Sequence, residues 1–379
     1  MPRFPALSTA GEHVPASIFA RLREHLARYR GDVIPLQIGD THLAPPAGLH
    51  DIAWRELPPA ELYTYGTPAG FAPLVDALSE DARTRRGLAI AGVQITCGAT
   101  HALTAAVQAT CNPGDELVLL TPHWPLIRGI ALAHNVVPIE VPYGNADALA
   151  AAITPRTAAI YFATPNNPDG AMLGDDQLAA IARIAERAGA WILADEVYEH
   201  YTYDRAHRSI AARPDAAART VTVGSFAKSY AQAGLRVGYA LVGDAGVLDA
   251  IRRLVNHSVY NVPVAAQHAA LAALRIGSAF TDRGRDRYRA ARDRAHAKLV
   301  APAAKPPGGA YLWVDFSRWS GTDCLPVLER IAEAGVLVAP GSAFGDAHHS
   351  HARLCFTGVP EPTLDEGIDR INRVLAAWS

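Results

Sequence analysis

The stretch Thr220-Val221-Thr222-Val223-Gly224-Ser225-Phe226-Ala227-Lys228 joins a short β-branched run to a polar turn that carries a lysine. Apolar runs at 117–120, 158–162 and 191–194, and a short predicted strand at 93–96, also end at polar or turn-forming residues. Runs of this length, bounded by turn residues, are typical of strands buried in the interior of a sheet. We therefore predict a central sheet whose strands end in polar loops.

Helical patterns separate these strands. At 175–188, Leu178, Ile181, Ala182 and Ala185 recur with helical spacing, and Gly189 provides a stop. Strands that alternate with helices indicate an α/β fold around a mostly parallel sheet. Ligands of such folds bind at the carboxyl ends of the strands, so the polar residues that follow each run are candidate site residues.

The C-terminal part of the chain begins with a charged segment, residues 282–299, that predicts one long helix. Its arginines from Arg283 to Arg294 are interleaved with aspartates, so we expect them to form a solvent-exposed face. A Pro/Gly break at 306–309 and a predicted strand at 311–314 follow. We place a change of domain within this helix.

The composition is typical of a soluble globular protein. The 379 residues are 50% hydrophobic and 19% charged with a formal net charge of -2, which allows a large core and offers no basic block for nucleic acid. Four scattered cysteines without a C-x-x-C pair indicate reduced thiols in the cytoplasm, and neither a disulfide framework nor a zinc site. No apolar run has the length of a signal peptide or a membrane span. We expect no metal, nucleic-acid or membrane partner.

Lys228 lies three residues after Ser225 and eight residues before Arg236. A lysine in a pocket with cationic groups can lose its proton and attack a carbonyl group. A serine hydroxyl and an arginine nearby are suited to a phosphate anion. A lysine on a surface loop explains these three residues equally well.

Asp195 ends the apolar run 191–194, where it is either a helix N-cap or a carboxylate that serves a buried cation or a ligand. Pyridoxal 5′-phosphate (PLP) requires a carboxylate against its pyridine nitrogen, because protonation of that nitrogen makes the ring an electron sink. Tyr198, three residues further on, could reach the phenolic oxygen of the same cofactor.

Other candidate residues also follow strand ends. Gly98-Ala99-Thr100 is a strand-to-helix turn of the kind that binds phosphate through free backbone N–H groups. Trp124 offers a flat ring for stacking, although a core aromatic residue is the commoner case. Asn167 lies in a loop that turn formation alone would explain. Arg353 opens an apolar strand, either to bind a substrate carboxylate or as an edge-strand arginine in solvent.

In this fixed order the features resemble the class I/II aminotransferases, which are fold-type I PLP-dependent enzymes. The resemblance extends from Leu36-Gln37-Ile38-Gly39 to Arg353 and is most specific in Ser225-x-x-Lys228, Asp195-x-x-Tyr198 and Asn167-Pro168-x-Gly170. It implies an α/β fold with a large PLP-binding domain at residues 39–287, where helices flank a mostly parallel sheet. Residues 1–38 and 288–379 would form a smaller α+β domain from both termini.

The resemblance also implies roles for the matching residues. Lys228 would hold PLP as a Schiff base and move the substrate's α-proton, and Asp195 would pair with the pyridine nitrogen. The other cofactor contacts would be Tyr198 and Asn167 at the phenolic oxygen, Trp124 on the ring, and Ala99, Thr100, Ser225 and Arg236 at the phosphate. The substrate would be bound by Arg353, Asn167 and the Gly39 backbone. Tyr65 would reach the phosphate in a partner subunit, which implies a homodimer with shared active sites.

Some residues depart from the family pattern. Thr164 and Asp169 replace an asparagine and a threonine of the familiar Asn-Pro-x-Asn-Pro-Thr-Gly loop. His42 and His123 would lie near the substrate, where they are either structural or involved in side-chain recognition. Residues 255–261 contain no arginine, which argues against a strict preference for aspartate.

The resemblance favours transfer of an amino group between an α-amino acid and a 2-oxo acid. The same scaffold supports a β-lyase, a cyclase or an oxidase of a specialised biosynthetic pathway, and no residue around the cofactor distinguishes these reactions. A regulatory PLP-binding protein would need a DNA-binding module, for which we expect no room before Leu36. A Rossmann dehydrogenase would need a G-x-G-x-x-G turn after its first strand, and the sequence lacks one.

Overall fold

The apolar runs of the sequence form strands in the computed structural model, which describes residues 7–15 and 20–378. The strands of this part of the chain are β1 (Ile34–Pro35), β2 (Gly92–Cys97), β3 (Glu116–Thr121), β4 (Val137–Pro142), β5 (Thr157–Ala163), β6 (Trp191–Asp195), β7 (Thr220–Ser225), β8 (Val237–Val242), β9 (Tyr311–Asp315), β10 (Val336–Leu337), β11 (Ala339–Pro340) and β12 (His351–Cys355). The α-helices are α1 (Thr9–His13), α2 (Ala20–Leu26), α3 (Ile52–Glu56), α4 (Pro59–Tyr63), α5 (Ala72–Thr84), α6 (Gly98–Thr110), α7 (Pro125–Ala133), α8 (Ala146–Ala152), α9 (Asp175–Ala188), α10 (Ala245–Ser258), α11 (Val264–Arg275), α12 (Ser278–Lys298), α13 (Ser317–Ser320), α14 (Leu325–Glu333) and α15 (Glu361–Ala376).

Seven strands form one central sheet in the order β2-β8-β7-β6-β5-β3-β4. Neighbouring strands are parallel from β7 to β4, whereas β8 is antiparallel to both β2 and β7. The carboxyl ends of the other strands therefore lie at one edge of the sheet, and the amino end of β8 lies at that same edge. The polar loops predicted from the sequence meet here.

Helices cover both faces of this sheet. Along β3, Leu117 and Leu119 pack in a core layer that includes α6 and α10, while Val118 and Leu120 pack in a layer that includes α9. Since successive side chains of a strand point to opposite faces, a strand covered on both sides needs an apolar residue at every position. The continuous apolar runs of the sequence are explained by this burial.

Helix α9 has the amphipathic pattern predicted for it. Leu178, Ile181, Ala182 and Ala185 are all buried. Gly189 ends the helix with a φ of 65°, a left-handed conformation that a residue with a Cβ adopts only with strain. Both predictions for this segment, the buried face and the stop, are confirmed.

The N-terminal and C-terminal segments lie together. Strand β1 pairs with β10 in a parallel two-stranded sheet, and β12 is the central strand of an antiparallel three-stranded sheet with β11 and β9. Leu22 belongs to the same buried cluster as Leu364. Residues 1–6, 16–19 and 379 of the smaller domain expected from the sequence lie outside the described residues.

The long charged helix is α12, and it begins earlier than predicted, at Ser278. The expectation that its arginines form a solvent-exposed face is wrong for Arg292, which is 1% exposed. Its guanidinium forms ion pairs with Asp204 at 2.6 Å and with Asp293 at 2.7 Å, and donates to the Pro306 carbonyl at 2.8 Å. The charge pattern of the helix does not reveal this burial because Asp204 comes from a distant loop.

Cys111, Cys324 and Cys355 are buried and Cys97 is partly buried, and none of them forms a disulfide. Among the described residues no helix combines the length and the apolar character needed to cross a membrane. Across the same ranges, no group of three or more His, Cys, Asp or Glu residues is arranged to hold a metal ion.

Candidate active site

A cavity of about 240 Å³ lies at the edge of the central sheet where the polar loops meet. The predicted site residues that line it are Gly39, Ala99, Thr100, Trp124, Asn167, Asp195, Tyr198, Ser225, Lys228, Arg236 and Arg353. Leu103, Ala163, Val197, Ala227 and Tyr311 complete its wall. Residues that are far apart in the sequence are therefore brought together in one place.

Lys228 lies in the turn that follows β7 and is half-buried. Its ammonium group donates a hydrogen bond to the Gly39 carbonyl. Burial lowers the pKa of Lys228; the nearby charges of Arg353 and Arg236 lower it further, while Asp40 raises it. A lysine with a lowered pKa more readily presents a neutral amine, the form that attacks a carbonyl group.

Asp195 is the last residue of β6 and is 5% exposed. The Tyr161 hydroxyl donates to its Oδ2 at 3.2 Å and the Val197 backbone N–H donates to its Oδ1 at 3.2 Å. No cation of the described residues forms an ion pair with it within 4.0 Å, and burial raises the pKa of Asp195 to about 6. The residues that directly follow β6 form no α-helix, and the next one, α10, begins at Ala245, so the N-cap alternative does not apply. The carboxylate is available to a cationic group placed in the cavity.

An anion-binding cradle lies beside Lys228. Ala99 and Thr100 are in the first turn of α6, whose backbone N–H groups have no acceptors within the helix and attract anions. Gly98, which opens the helix with a φ of 75°, packs so closely that a Cβ there would lie 2.3 Å from the Arg236 guanidinium. Arg236 precedes the antiparallel strand β8, which brings it to this edge, and Ser225 ends β7 next to it. The donors fit a phosphate group.

Arg353 also lines the cavity and is held in a fixed orientation. It is 7% exposed on the central strand β12, so the edge-strand alternative is wrong. Its Nη1 donates a hydrogen bond to Asn167 Oδ1 at 2.8 Å, and its Nη2 donates one to the Gln37 carbonyl at 2.6 Å. The guanidinium also lies 4.3 Å from the ring centroid of Tyr311 and 4.9 Å from that of Phe344. In the described part of the chain its buried Nε has no hydrogen-bond partner. An oriented guanidinium with a free donor is suited to a carboxylate.

Tyr311 is a cavity residue that the sequence interpretation missed. Its hydroxyl oxygen lies 2.5 Å from that of Tyr198, and Arg353 covers its ring. Arg353 pairs with Trp313 across β12 and β9, so Tyr311 is the diagonal neighbour of Arg353 on the same face of the sheet. The sequence predicts a strand at 311–314, but it does not show which strand pairs with it.

Trp124 lines one wall of the cavity and is partly buried against the core. Tyr65, in contrast, does not line the cavity. It is 87% exposed, and its ring lies edge-on to that of Tyr260 with the centroids 5.2 Å apart. A contact of Tyr65 with a partner subunit therefore stays a prediction.

The residues that depart from the family pattern lie outside the lining of the cavity. His42 bonds a backbone carbonyl of the C-terminal part at 3.0 Å, and His123 bonds the Trp124 carbonyl at 3.0 Å. Asp169 accepts hydrogen bonds of 2.8 and 3.0 Å from two neighbours in its own turn. These contacts support structural roles for all three residues.

A second, larger cleft of about 620 Å³ is rich in arginine and contains none of the predicted catalytic residues. Arg86 is already paired with Glu196, and Arg85 with Glu199 at 3.3 Å. Because these buried charges neutralise one another, this cleft is a weaker candidate for an active site than the smaller cavity. The candidate active site is therefore the 240 Å³ cavity around Lys228.

Residues 57–371 match the family described as aminotransferase class I and II. The chain is 33% identical over 367 residues to an aspartate/prephenate aminotransferase of Thermus thermophilus, across 92% of this chain and 93% of that protein. It is 33% identical over 354 residues to an arginine–pyruvate transaminase of Pseudomonas aeruginosa, across 90% of this chain and 89% of the relative. The solved structure of a double mutant of Thermus thermophilus aspartate aminotransferase has a TM-score of 0.91 to it at 31% identity, covering 98% of this chain and 100% of that one. The chain thus belongs to the class I and II aminotransferase family and is an aminotransferase of fold type I.

Proposed function

We propose that this aminotransferase uses PLP, attached to Lys228, to move an amino group between an α-amino acid and a 2-oxo acid. The observation that carries the proposal is the buried carboxylate of Asp195, which has no cationic partner among the described residues and shares the cavity with Lys228. PLP supplies the two groups that this pair accommodates, a pyridine nitrogen that becomes cationic and a carbonyl carbon that an amine attacks.

The other lining residues fit the remaining parts of PLP. The first turn of α6, with Ser225 and Arg236, offers N–H, hydroxyl and guanidinium donors to the phosphate. Tyr198 and Asn167 offer donors to the phenolic oxygen, and Trp124 offers a flat face for the ring. When bound, PLP supplies an electron sink for the negative charge that develops at the substrate's α-carbon.

The protein's own residues orient the substrate and move its proton. Arg353 binds the α-carboxylate, while Asn167 and the Gln37 carbonyl hold the guanidinium in place. The amine of Lys228 removes the proton from the α-carbon, because its lowered pKa favours the neutral form that acts as a base. The Gly39 carbonyl keeps this amine directed into the cavity.

A homodimer with shared active sites is part of the proposal. Trp54, Tyr63 and Tyr65 are 59%, 75% and 87% exposed, and all three precede the large central sheet in the chain. Aromatic residues are enriched at protein–protein interfaces, so the exposure of these three side chains supports a contact with a second subunit. Tyr65 would then contribute to the phosphate site of the partner.

The domain division and the location in the cell are also proposals. We assign residues 39–287 to the large domain and residues 1–38 and 288–379 to the small one, with the β1–β10 pairing as support. The four cysteines of the described residues form no disulfide, which is consistent with a cytoplasmic location.

The test is an absorption scan of purified protein with PLP, followed by a panel of amino acids. We expect a long-wavelength band that a suitable amino acid removes and a 2-oxo acid restores. Lys228→Ala should lack both the band and turnover, whereas Lys305→Ala, a change at an exposed lysine paired with Asp293, should behave like the wild type. Release of ammonia and pyruvate without an oxo acid would contradict transamination and indicate β-elimination.

A further inference from the structure

The hydroxyl of Tyr311 has a single hydrogen-bond partner within the described residues, the hydroxyl of Tyr198 at 2.5 Å. Tyr311 is 1% exposed and Tyr198 is 2% exposed, so water does not compete for this bond. Both side chains line the cavity that holds Lys228. The pair therefore forms a buried chain of two phenols that ends in the candidate active site.

The direction of this bond follows from the number of hydrogens. Each phenol has one hydrogen to donate and can also accept. If Tyr198 donates to the phenolic oxygen of PLP, the bond between the two hydroxyls must be donated by Tyr311. The guanidinium of Arg353 lies 4.3 Å from the Tyr311 ring centroid, and its positive charge opposes the burial that raises the pKa of Tyr311 to about 12. A phenol beside a cation is a better donor than one without it.

The backbone leaves room for this hydroxyl at Gly39. A Cβ on Gly39 would lie 2.0 Å from the Tyr311 hydroxyl oxygen, a distance that no side chain tolerates. The carbonyl of the same Gly39 accepts the hydrogen bond of Lys228. The Tyr311 hydroxyl is thus enclosed between the lysine's backbone acceptor and Tyr198.

We propose that Tyr311 is a positioning residue that donates its hydroxyl hydrogen to Tyr198 and thereby strengthens the hydrogen bond from Tyr198 to the phenolic oxygen of PLP. The proposal rests on the proposed binding of PLP to Lys228. It also places one aromatic ring, that of Tyr311, in contact with both the carboxylate-binding Arg353 and the residue that bonds the cofactor.

The consequence is a change in the acidity of the Lys228–PLP linkage. A proton on this linkage is shared with the neighbouring phenolic oxygen. Donors that bond this oxygen make it a weaker acceptor for that proton, and they therefore lower the pKa of the linkage. Bonds in a chain strengthen one another by roughly 10–30%. Loss of the Tyr311 hydroxyl should therefore raise the pH midpoint of the long-wavelength band by about 0.1 to 0.7 unit, given the usual strength of charge-assisted hydrogen bonds.

The experiment is a pH titration of the absorption spectrum of protein loaded with PLP. Tyr311→Phe should raise the midpoint, whereas replacement of Tyr311 by 3-fluorotyrosine, a more acidic phenol, should lower it. In a Tyr198→Phe background, Tyr311→Phe should cause no further shift. The control is Tyr203→Phe, which removes a buried hydroxyl bonded to the Gly309 carbonyl at 2.6 Å outside the cavity and should leave the midpoint unchanged.

Two results would overturn the proposal. One is an unchanged midpoint in both Tyr311 variants, and the other is a shift from Tyr311→Phe that persists in the Tyr198→Phe background. The 3-fluorotyrosine variant keeps the hydroxyl and so supplies a result even if Tyr311→Phe does not fold. A wild-type protein that never develops the band with PLP would instead refute the proposed function, so the two failures are distinguishable.

Discussion

Replacement of Asp195 by Asn should make the cofactor-free protein more stable at neutral pH. Burial raises the pKa of Asp195 from 3.8 to about 6 in the folded chain. The folded state therefore holds this proton more tightly than the unfolded state, and it loses stability as the pH rises from below 4 to above 6. At 1.36 kcal/mol per pKa unit the loss is about 3 kcal/mol. An asparagine is neutral at every pH, so the Asp195→Asn protein does not suffer this loss of stability.

The magnitude of the gain depends on pH in a defined way. At pH 7.5 the variant should recover nearly the whole of the roughly 3 kcal/mol, and at pH 4.5 only about 1 kcal/mol, because there most of the folded protein already carries the proton. The asparagine can still accept from the Val197 N–H and can bond the Tyr161 oxygen through its amide. The advantage of the variant over the wild type should thus be about 2 kcal/mol larger at pH 7.5 than at pH 4.5.

The assay is urea unfolding of the cofactor-free proteins at both pH values. Asp249→Asn is the control, since this side chain is 64% exposed on α10 and its replacement should give no pH-dependent difference. With PLP present the order should reverse, because an amide cannot neutralise a pyridinium, and the dissociation constant for PLP should rise. The reasoning would be refuted if Asp195→Asn were no more stable than the wild type at pH 7.5 and the difference between the two proteins were the same at both pH values. The buried carboxylate would then not destabilise the folded state.

Two further predictions concern packing around the site and in α12. Gly39→Ala should lower the free energy of unfolding by about 1–3 kcal/mol, because its Cβ would meet the Tyr311 hydroxyl, and Tyr311→Phe in the same chain should restore part of it. Unfolding midpoints of the two single variants and the double variant measure this, and strictly additive losses would contradict the clash. Arg292→Met should cost about 2–3 kcal/mol through the lost buried ion pairs and hydrogen bonds, whereas Arg287→Met, at a 47% exposed side chain, should change stability by less than about 0.5 kcal/mol. Equal urea midpoints for these two variants would show that burial of Arg292 contributes nothing.

Much of the site could be predicted from the sequence because its residues follow strand ends. Asp195, Ser225 and Lys228 are each recognisable from an apolar run that stops at a polar residue. In a sheet whose neighbouring strands are parallel, such ends lie at one edge, so local pattern alone places these side chains near one another. The buried face of α9 could be predicted for the same reason, since helical spacing is a local property.

The rest of the site depends on contacts that no local pattern encodes. Arg236 reaches the phosphate cradle only because β8 runs antiparallel to its neighbours, a direction that the run 237–242 does not reveal. Tyr311 enters the cavity through the register of β9 against β12, and Arg292 is buried by a carboxylate from a loop far away in the chain. Strand direction, register and long-range ion pairs are tertiary properties. The resemblance to the family supplied Arg236, whereas the sequence interpretation missed Tyr311 and the burial of Arg292.

The buried polar groups of the cavity explain why the cofactor should stabilise the fold as well as enable the reaction. Asp195 is a buried carboxylate without a cation, and Arg353 has a buried donor without an acceptor within the described residues. Each uncompensated group lowers the stability of the folded chain. A ligand that brings a cationic nitrogen to Asp195 and a phosphate to the start of α6 would satisfy the first of these groups, while a substrate carboxylate would satisfy the second. The site is therefore expected to gain stability in two steps, with PLP and then with substrate, and Asp195→Asn should abolish a large part of the first step while leaving the second in place.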